Sequence, residues 1–245
     1  MQRLLPNPGP TTVEQQLSGL DLIDLGFTDR PYLVVNFAVT IDGRAAIEGR
    51  SGPIGSKTDT EMLQLLRTRV DAVMIGAGTM RAERYGRIVS DPSLRARRER
   101  LGLPHDPLAV IVSGRLDLPW DAPLFTDGGG RVLIFTTSEA EPPPTETPLR
   151  VVRHEGITID LVEALRHLRV ERGVRALLCE GGPGLHSELQ SLELVDELFA
   201  TVAAKLAGGP EPRMIEGELP RRSEWELAWL LEERGELFAR YRRAD

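Results

Sequence analysis

The chain reads as an α/β protein built on a mostly parallel central sheet with helices on both faces and an antiparallel hairpin at its C-terminal end. Three observations point there. Tyr32–Val39, Ala72–Ile75, Leu108–Val112 and Ala176–Cys179 are continuous apolar runs, as strands buried on both faces require. Amphipathic helical stretches alternate with them, which is the order of a parallel sheet with crossover helices. From Glu226 to Arg243 apolar and polar residues alternate about Arg234-Gly235, the pattern of a β-hairpin.

In chain order, Pro6, Pro8 and Pro10 make the first twelve residues an extended arm. Thr11 or Thr12 caps a short helix over Val13 to Leu25, and residues 1–30 form an N-terminal extension to a single domain over 31–245. The strand from Tyr32 ends in the Thr40-Ile41-Asp42-Gly43-Arg44 turn. Ser56 or Thr58 then caps a helix with Met62, Leu65 and Leu66 at helical spacing and Asp59 and Glu61 in its first turn. Ala72–Ile75 follows and runs into Gly76-Ala77-Gly78-Thr79. The segment from Met80 to Arg100 is polar and arginine-rich, partly helix and partly loop. Strands Leu108–Val112 and Arg131–Thr137 come next, then a proline-bearing surface loop from Glu139 to Pro148 and a short strand at Val151-Val152. Thr158 or Asp160 caps a helix over Ile159 to Arg172. Strand Ala176–Cys179, helix Leu185–Leu192 and strand Glu197–Ala203 precede the hairpin.

Composition narrows the function classes. A net charge of −7 argues against bulk affinity for nucleic acid or an anionic membrane, so neither is expected as a partner. An aromatic content of 5% argues against a stacking platform for single strands. Cys179 is the one cysteine and has no internal disulfide partner, which suits a reducing cytoplasm. The N-terminus lacks the apolar core of a secretory signal, and no run is long enough for a membrane span. A cytoplasmic location is therefore expected. His105, His154, His167 and His186 show no metal-ligand spacing, and no metal site is expected.

Three strand ends carry glycine turns: Gly76-Ala77-Gly78-Thr79, Ser113-Gly114-Arg115 and Glu180-Gly181-Gly182-Pro183-Gly184. Ligands of open α/β sheets bind outside the carboxyl ends of strands, and glycine lets backbone approach them closely. The Gly-x-Gly-x-x-Gly dinucleotide fingerprint does not follow the first strand, so a nucleotide would be held by this other set of loops.

Together with Asn36-Phe37-Ala38-Val39-Thr40-Ile41-Asp42-Gly43-Arg44 and Arg67-Thr68-Arg69-Val70-Asp71, these turns resemble the reductase domain of riboflavin biosynthesis, in its stand-alone form. The resemblance runs in order from about Pro31 to Gly209. It implies a dihydrofolate-reductase-like three-layer fold and an NADPH-dependent reductase. The expected reaction converts the ribosyl side chain of a 5-phosphoribosylamino-pyrimidine, deaminated or not, to a ribityl chain. It further implies catalytic roles for Glu180, Asn36 and Asp42, and substrate contacts from Arg67 (to the 5′-phosphate), Glu180 and Ser51. Implied cofactor contacts are Ala38, Thr40, Ile54, Gly76, Gly78, Thr79, Glu83, Ser113, Gly114, Arg115, Gly181, Gly182, Pro183, Gly184 and Leu185, with Arg115 facing the adenosine 2′-phosphate. A homodimer is expected, with Leu192, Leu194, Val195, Leu198 and Phe199 either at its interface or in the core.

The sequence departs from the family in three places. Asn36 stands where bifunctional members carry lysine, Pro53 where many carry tryptophan, and Glu83-Arg84-Tyr85-Gly86-Arg87 replaces the usual Asp-Asp-Pro-x-Leu. The deaminase signature of bifunctional members is missing from these residues. A pteridine reductase of the same fold and a non-catalytic NADPH-binding relative are the alternatives.

Overall fold

The computed structural model describes residues 1–244. In chain order the elements are β1 (Gln2–Leu5), β2 (Gly9–Pro10), α1 (Val13–Ser18), β3 (Tyr32–Thr40), α2 (Lys57–Arg67), β4 (Ala72–Gly76), α3 (Ala77–Glu83), α4 (Pro92–Arg100) and β5 (Leu108–Val112). There follow α5 (Pro123–Thr126), β6 (Arg131–Thr136), β7 (Leu149–Arg153), α6 (Leu161–Val170), β8 (Ala176–Cys179), α7 (Pro183–Ser191), β9 (Glu197–Ala203), β10 (Trp225–Glu233) and β11 (Glu236–Arg243). No helix among the described residues is long and apolar enough to cross a membrane.

These elements form two compact units that interleave along the chain. One gathers Met1–Leu20, Leu33–Leu66 and Pro183–Asp245, the other Asp21–Tyr32 and Arg67–Gly182. In the second unit β8, β4, β5, β6 and β7 lie side by side in that order, all parallel. The apolar runs are buried as their continuity predicts: Ala72 to Ile75 and Ala176 to Cys179 are closed to solvent. Asp160 caps α6 by accepting from the Glu163 N–H at 3.0 Å, so the aspartate and not Thr158 is the cap. The buried stripe of α6 is Leu161, Ala164, Leu165 and Leu168.

In the first unit β2, β1, β10, β11, β9 and β3 are neighbours, and only the β3–β9 pair is parallel. The β10–β11 hairpin turns at Arg234 and Gly235, both with positive φ (54° and 83°), as a two-residue primed turn needs. Buried Glu197 on β9 receives Arg240 of β11 through both carboxylate oxygens and Arg242 at 3.1 Å. That fastening, with Phe199 against Trp229 (ring centroids 5.6 Å apart), ties the hairpin to β9. Phe199, Val195 and Leu194 are therefore core residues, while Leu192 is exposed and Leu198 half-buried.

Local differences from the sequence expectations have local causes. Thr12 and Gln15 form a reciprocal capping box for α1, but Gly19 takes the C-cap and the helix stops well before Leu25. The proline-bearing arm does more than extend: Gln2–Leu5 pairs antiparallel with β10 through a register shift. Ser56 accepts from the Thr58 and Asp59 N–H groups at 3.1 and 3.3 Å and starts α2.

Candidate active site

In the second unit, three parallel strands bring three glycine turns to one edge. Met74 of β4 is in register with Cys179 of β8, and Gly76 with Val112 of β5. The turns after β4, β5 and β8 are thus neighbours at the carboxyl edge. The Gly76 N–H donates to the Gly181 carbonyl at 2.7 Å, joining two of them directly. The Gly181–Gly182 peptide is cis. A Cβ on Gly182 would stand 2.7 Å from Thr79 Oγ1, so a side chain there would force a neighbour to shift. Gly78 differs: a Cβ on it would meet nothing within 4 Å, so its backbone faces open space. The Gly114 carbonyl accepts the hydroxyls of Thr136 (3.2 Å) and Thr137 (3.0 Å), which anchors the turn bearing the exposed Arg115. Ser113 is buried in the same turn, and half-buried Glu83 closes α3.

Beside these turns sits a charged cluster. Arg67 ends α2, and its Nε and Nη2 donate to the two carboxylate oxygens of Glu180 at 2.7 and 2.6 Å. Its Nη1 donates to the Ile88 carbonyl at 2.9 Å. The Tyr85 hydroxyl donates to Glu180 Oε2 at 2.9 Å, and the Arg67 guanidinium stands 5.7 Å from the Tyr85 ring centroid. Glu180 is held from below by its own N–H, which donates to the Met74 carbonyl at 3.0 Å. Burial disfavours the Arg67 charge, but Glu180 outweighs it and raises the guanidinium above its ordinary range. Burial, then the Glu180 charge, pushes the Tyr85 hydroxyl well up, so it stays a protonated donor. Burial likewise lifts the Cys179 thiol to about 12, which disqualifies it as a nucleophile.

Glu180 and Arg67, two of the residues drawn from the resemblance, thus meet in a bidentate pair. Tyr85 was not among them. It lies in the segment that departs from the family pattern, and a lone aromatic in a polar, arginine-rich stretch was the available signal. Arg98 has no distinguishing mark in the sequence. It is fully buried, and its guanidinium donates to the carbonyls of Arg67, Val70 and Pro104, closing the C-terminal end of α2 directly behind the cluster.

The remaining expected residues lie in the first unit. Asn36, Ala38 and Thr40 alternate on one face of β3, opposite Phe199, Thr201 and Ala203 of β9. Asp42 accepts from Thr40 Oγ1 (2.6 Å) and from the N–H groups of Ala207 (3.1 Å) and Gly208 (2.8 Å). Those donors, Thr40 foremost, hold its carboxyl far below the usual carboxylate range. The Asp42 carboxylate thus fastens the turn after β3 to the stretch that follows β9. Ile54 is buried, and its carbonyl accepts Lys205 Nζ at 2.8 Å. Ser51 is exposed in the preceding turn, where its carbonyl accepts the Ile54 N–H. The Pro183 carbonyl accepts Ser187 Oγ, Gly184 is exposed, and Leu185 is buried in α7.

Comparison with known proteins identifies the family. Residues 31–233 match the RibD C-terminal domain family. A relative from Archaeoglobus fulgidus, named 2,5-diamino-6-ribosylamino-4(3H)-pyrimidinone 5′-phosphate reductase, is 32% identical over 193 residues, 77% of this chain and 88% of that protein. Among solved structures, a pyrimidine reductase-like protein from Corynebacterium diphtheriae superposes with a TM-score of 0.78 at 24% identity, covering 96% of this chain and 100% of that one. Dihydrofolate reductase from Enterococcus faecalis, complexed with NADP(H), shares the fold with a TM-score of 0.50 at 14% identity, covering 90% of this chain and all of that one. The fold is thus α/β of the dihydrofolate-reductase type, with parallel strands and an antiparallel C-terminal hairpin. With glycine turns at three adjacent strand ends and the match running from β3 into the end of β10, the chain belongs to the RibD C-terminal domain family.

Proposed function

We propose that this chain is an NADPH-dependent reductase of a phosphorylated ribosylamino-pyrimidine, acting in riboflavin biosynthesis and turning the ribosyl side chain into a ribityl chain. The observation that carries the reading is the Arg67–Glu180–Tyr85 cluster beside the glycine turns. The residues present suit a nicotinamide dinucleotide: Gly78 offers backbone with nothing in front of it, and Arg115 offers an exposed guanidinium for a 2′-phosphate.

When bound, NADPH supplies the hydride for the ribosyl C1′. The chain's own residues orient and hold protons. Arg67 uses three of its N–H groups on Glu180 and Ile88, which leaves two for the substrate's 5′-phosphate. Glu180, pinned on two sides, is a fixed polar partner for the opening sugar. Tyr85 keeps its proton at the hydroxyl and fixes Glu180 Oε2.

The direct test is nicotinamide oxidation, followed by absorbance, with each of the 2,5-diamino-pyrimidinone phosphate, its deaminated uracil counterpart and dihydrofolate, using NADPH and NADH in turn. Turnover of a ribosylamino-pyrimidine phosphate with NADPH is the expected result. Turnover of dihydrofolate alone would make the chain a pteridine reductase, and NADPH binding without any turnover would make it a non-catalytic relative.

A further inference from the structure

A cavity opens at the opposite, amino edge of the parallel strands of the second unit. It has a volume of about 560 Å³, and its walls include the first residues of β5, β6 and β7 together with Arg172 and Gly173, which follow α6. That volume lies in the range of small-molecule pockets.

Its chemistry follows from register. Phe135 of β6 touches His167 of α6 edge-on, with ring centroids 5.7 Å apart, so the Phe135 face of β6 is the one α6 covers. Leu133 and Arg131 share that face by the two-residue period of a strand. Arg150 of β7 is in register with Leu133 and points the same way. Arg172 arrives from the end of α6, where its Nε donates to His167 Nε2 at 3.2 Å. Three arginines therefore line one cavity, in a chain whose net charge is −7.

The only acidic residue on the wall is Asp71, and it is already taken: it accepts from the Arg175 guanidinium and from the N–H groups of Arg175 and Ala176. Elsewhere arginines have protein partners, as Arg67, Arg84, Arg87, Arg98, Arg153 and Arg240 do. Arg131 and Arg150 have none among the described residues, and both are exposed. Leu108, Leu133, Leu149, Pro104 and Pro148 supply an apolar wall behind them.

We infer that this amino-edge cavity is a second ligand site, separate from the glycine turns, which takes a small phosphomonoester carried on a flat apolar body. The phosphate lies against Arg131 and Arg150, where paired guanidinium donors match its oxygens, and the ring lies against the leucines and prolines. The site stands on the geometry of the second unit alone and does not depend on the reaction proposed above.

The test is calorimetric titration of the full chain with phenyl phosphate and with inorganic phosphate, with and without NADPH. Phenyl phosphate binds one equivalent whether or not NADPH is present, and inorganic phosphate binds about tenfold more weakly because it lacks the ring. The double variant Arg131→Ala/Arg150→Ala weakens phenyl phosphate by about tenfold or more. It keeps its melting temperature, since both side chains are exposed and unpaired. Arg115→Ala at the other edge leaves the titration unchanged. No binding at millimolar phenyl phosphate, or undiminished binding to the double variant, overturns the site. Loss of binding when NADPH is added or in Arg115→Ala places the anion at the carboxyl edge and also overturns it. Equal affinity for the two probes overturns the ring-bearing class of ligand.

Discussion

Tyr85 and Arg67 grip the same carboxylate: the tyrosine hydroxyl donates to Glu180 Oε2 at 2.9 Å, and the arginine spans both oxygens at 2.7 and 2.6 Å. Glu180 is therefore held from two directions by a neutral donor and a cation. Removing the neutral donor is the gentler change. Tyr85→Phe is expected to lower turnover by about tenfold, leave NADPH affinity within about twofold, and lower stability by about 1 kcal/mol. Steady-state kinetics beside a nucleotide titration checks this; unchanged turnover would mean that Tyr85 only fills space.

The cation is a harsher loss. Arg67→Ala leaves Glu180 without its paired charge and should cost about 3 kcal/mol of stability. It should also raise the KM for the phosphorylated substrate by about tenfold or more. Glu180→Gln keeps the shape of the site and should cut turnover far more than NADPH affinity. Equal losses in both would remove Glu180 from the chemistry, and an unchanged KM in Arg67→Ala would remove Arg67 from the phosphate.

Gly182 and Thr79 make a coupled pair. Gly182→Ala puts a methyl group 2.7 Å from Thr79 Oγ1, so either the Thr79 side chain or one of the two turns must shift. We expect a loss of about 1–3 kcal/mol and weaker nucleotide binding. Thr79→Ala in the same chain removes the colliding oxygen, and the double variant should recover part of the melting temperature. Strict additivity of the two single losses would contradict the contact.

His186 sets part of the acid limit. It is buried on Phe37 (ring centroids 5.2 Å apart), with Nδ1 3.1 Å from the Met214 carbonyl and Nε2 3.1 Å from the Gln190 amide. Burial pushes its pKa down to about 4, against 6.5 when free. Above pH 6.5 both states are neutral and the stability is complete. As the pH falls from there towards 4, the unfolded chain gains a proton that the folded chain refuses, so stability declines by about 3 kcal/mol in total. His186→Gln should flatten that limb of a urea-midpoint-against-pH curve. An unaltered slope would assign the acid limb to other groups.

Much of this architecture was legible because the strands are buried on both faces and write themselves as plain apolar runs. Leu108–Val112 and Ala176–Cys179 begin and end where their composition changes. Edge strands do not. The outer strand β7 extends over Leu149–Arg153 with an arginine at each side of its valines, so its burial signal is half diluted. The four residues of α5 are too few to set up a periodicity. The buried Arg98 sits among exposed arginines of α4 and carries no local mark; only the carbonyls it reaches distinguish it. Glu180 and Arg67 were readable through the resemblance, whereas their contact, made across 113 residues of sequence, was not.

The interleaving of the two units has a bearing on how the chain is made. Arg67–Gly182 is one continuous stretch that contains all five strands of its parallel array, and its long-range pairings can close while the ribosome is still at work. The other unit has no such freedom. β1 has only β2 beside it until β10 is made, and β3 waits for β9, so the first strands of this unit find their long-range partners late in synthesis. A chain truncated before the terminal hairpin would therefore carry one finished unit and one set of orphaned strand edges.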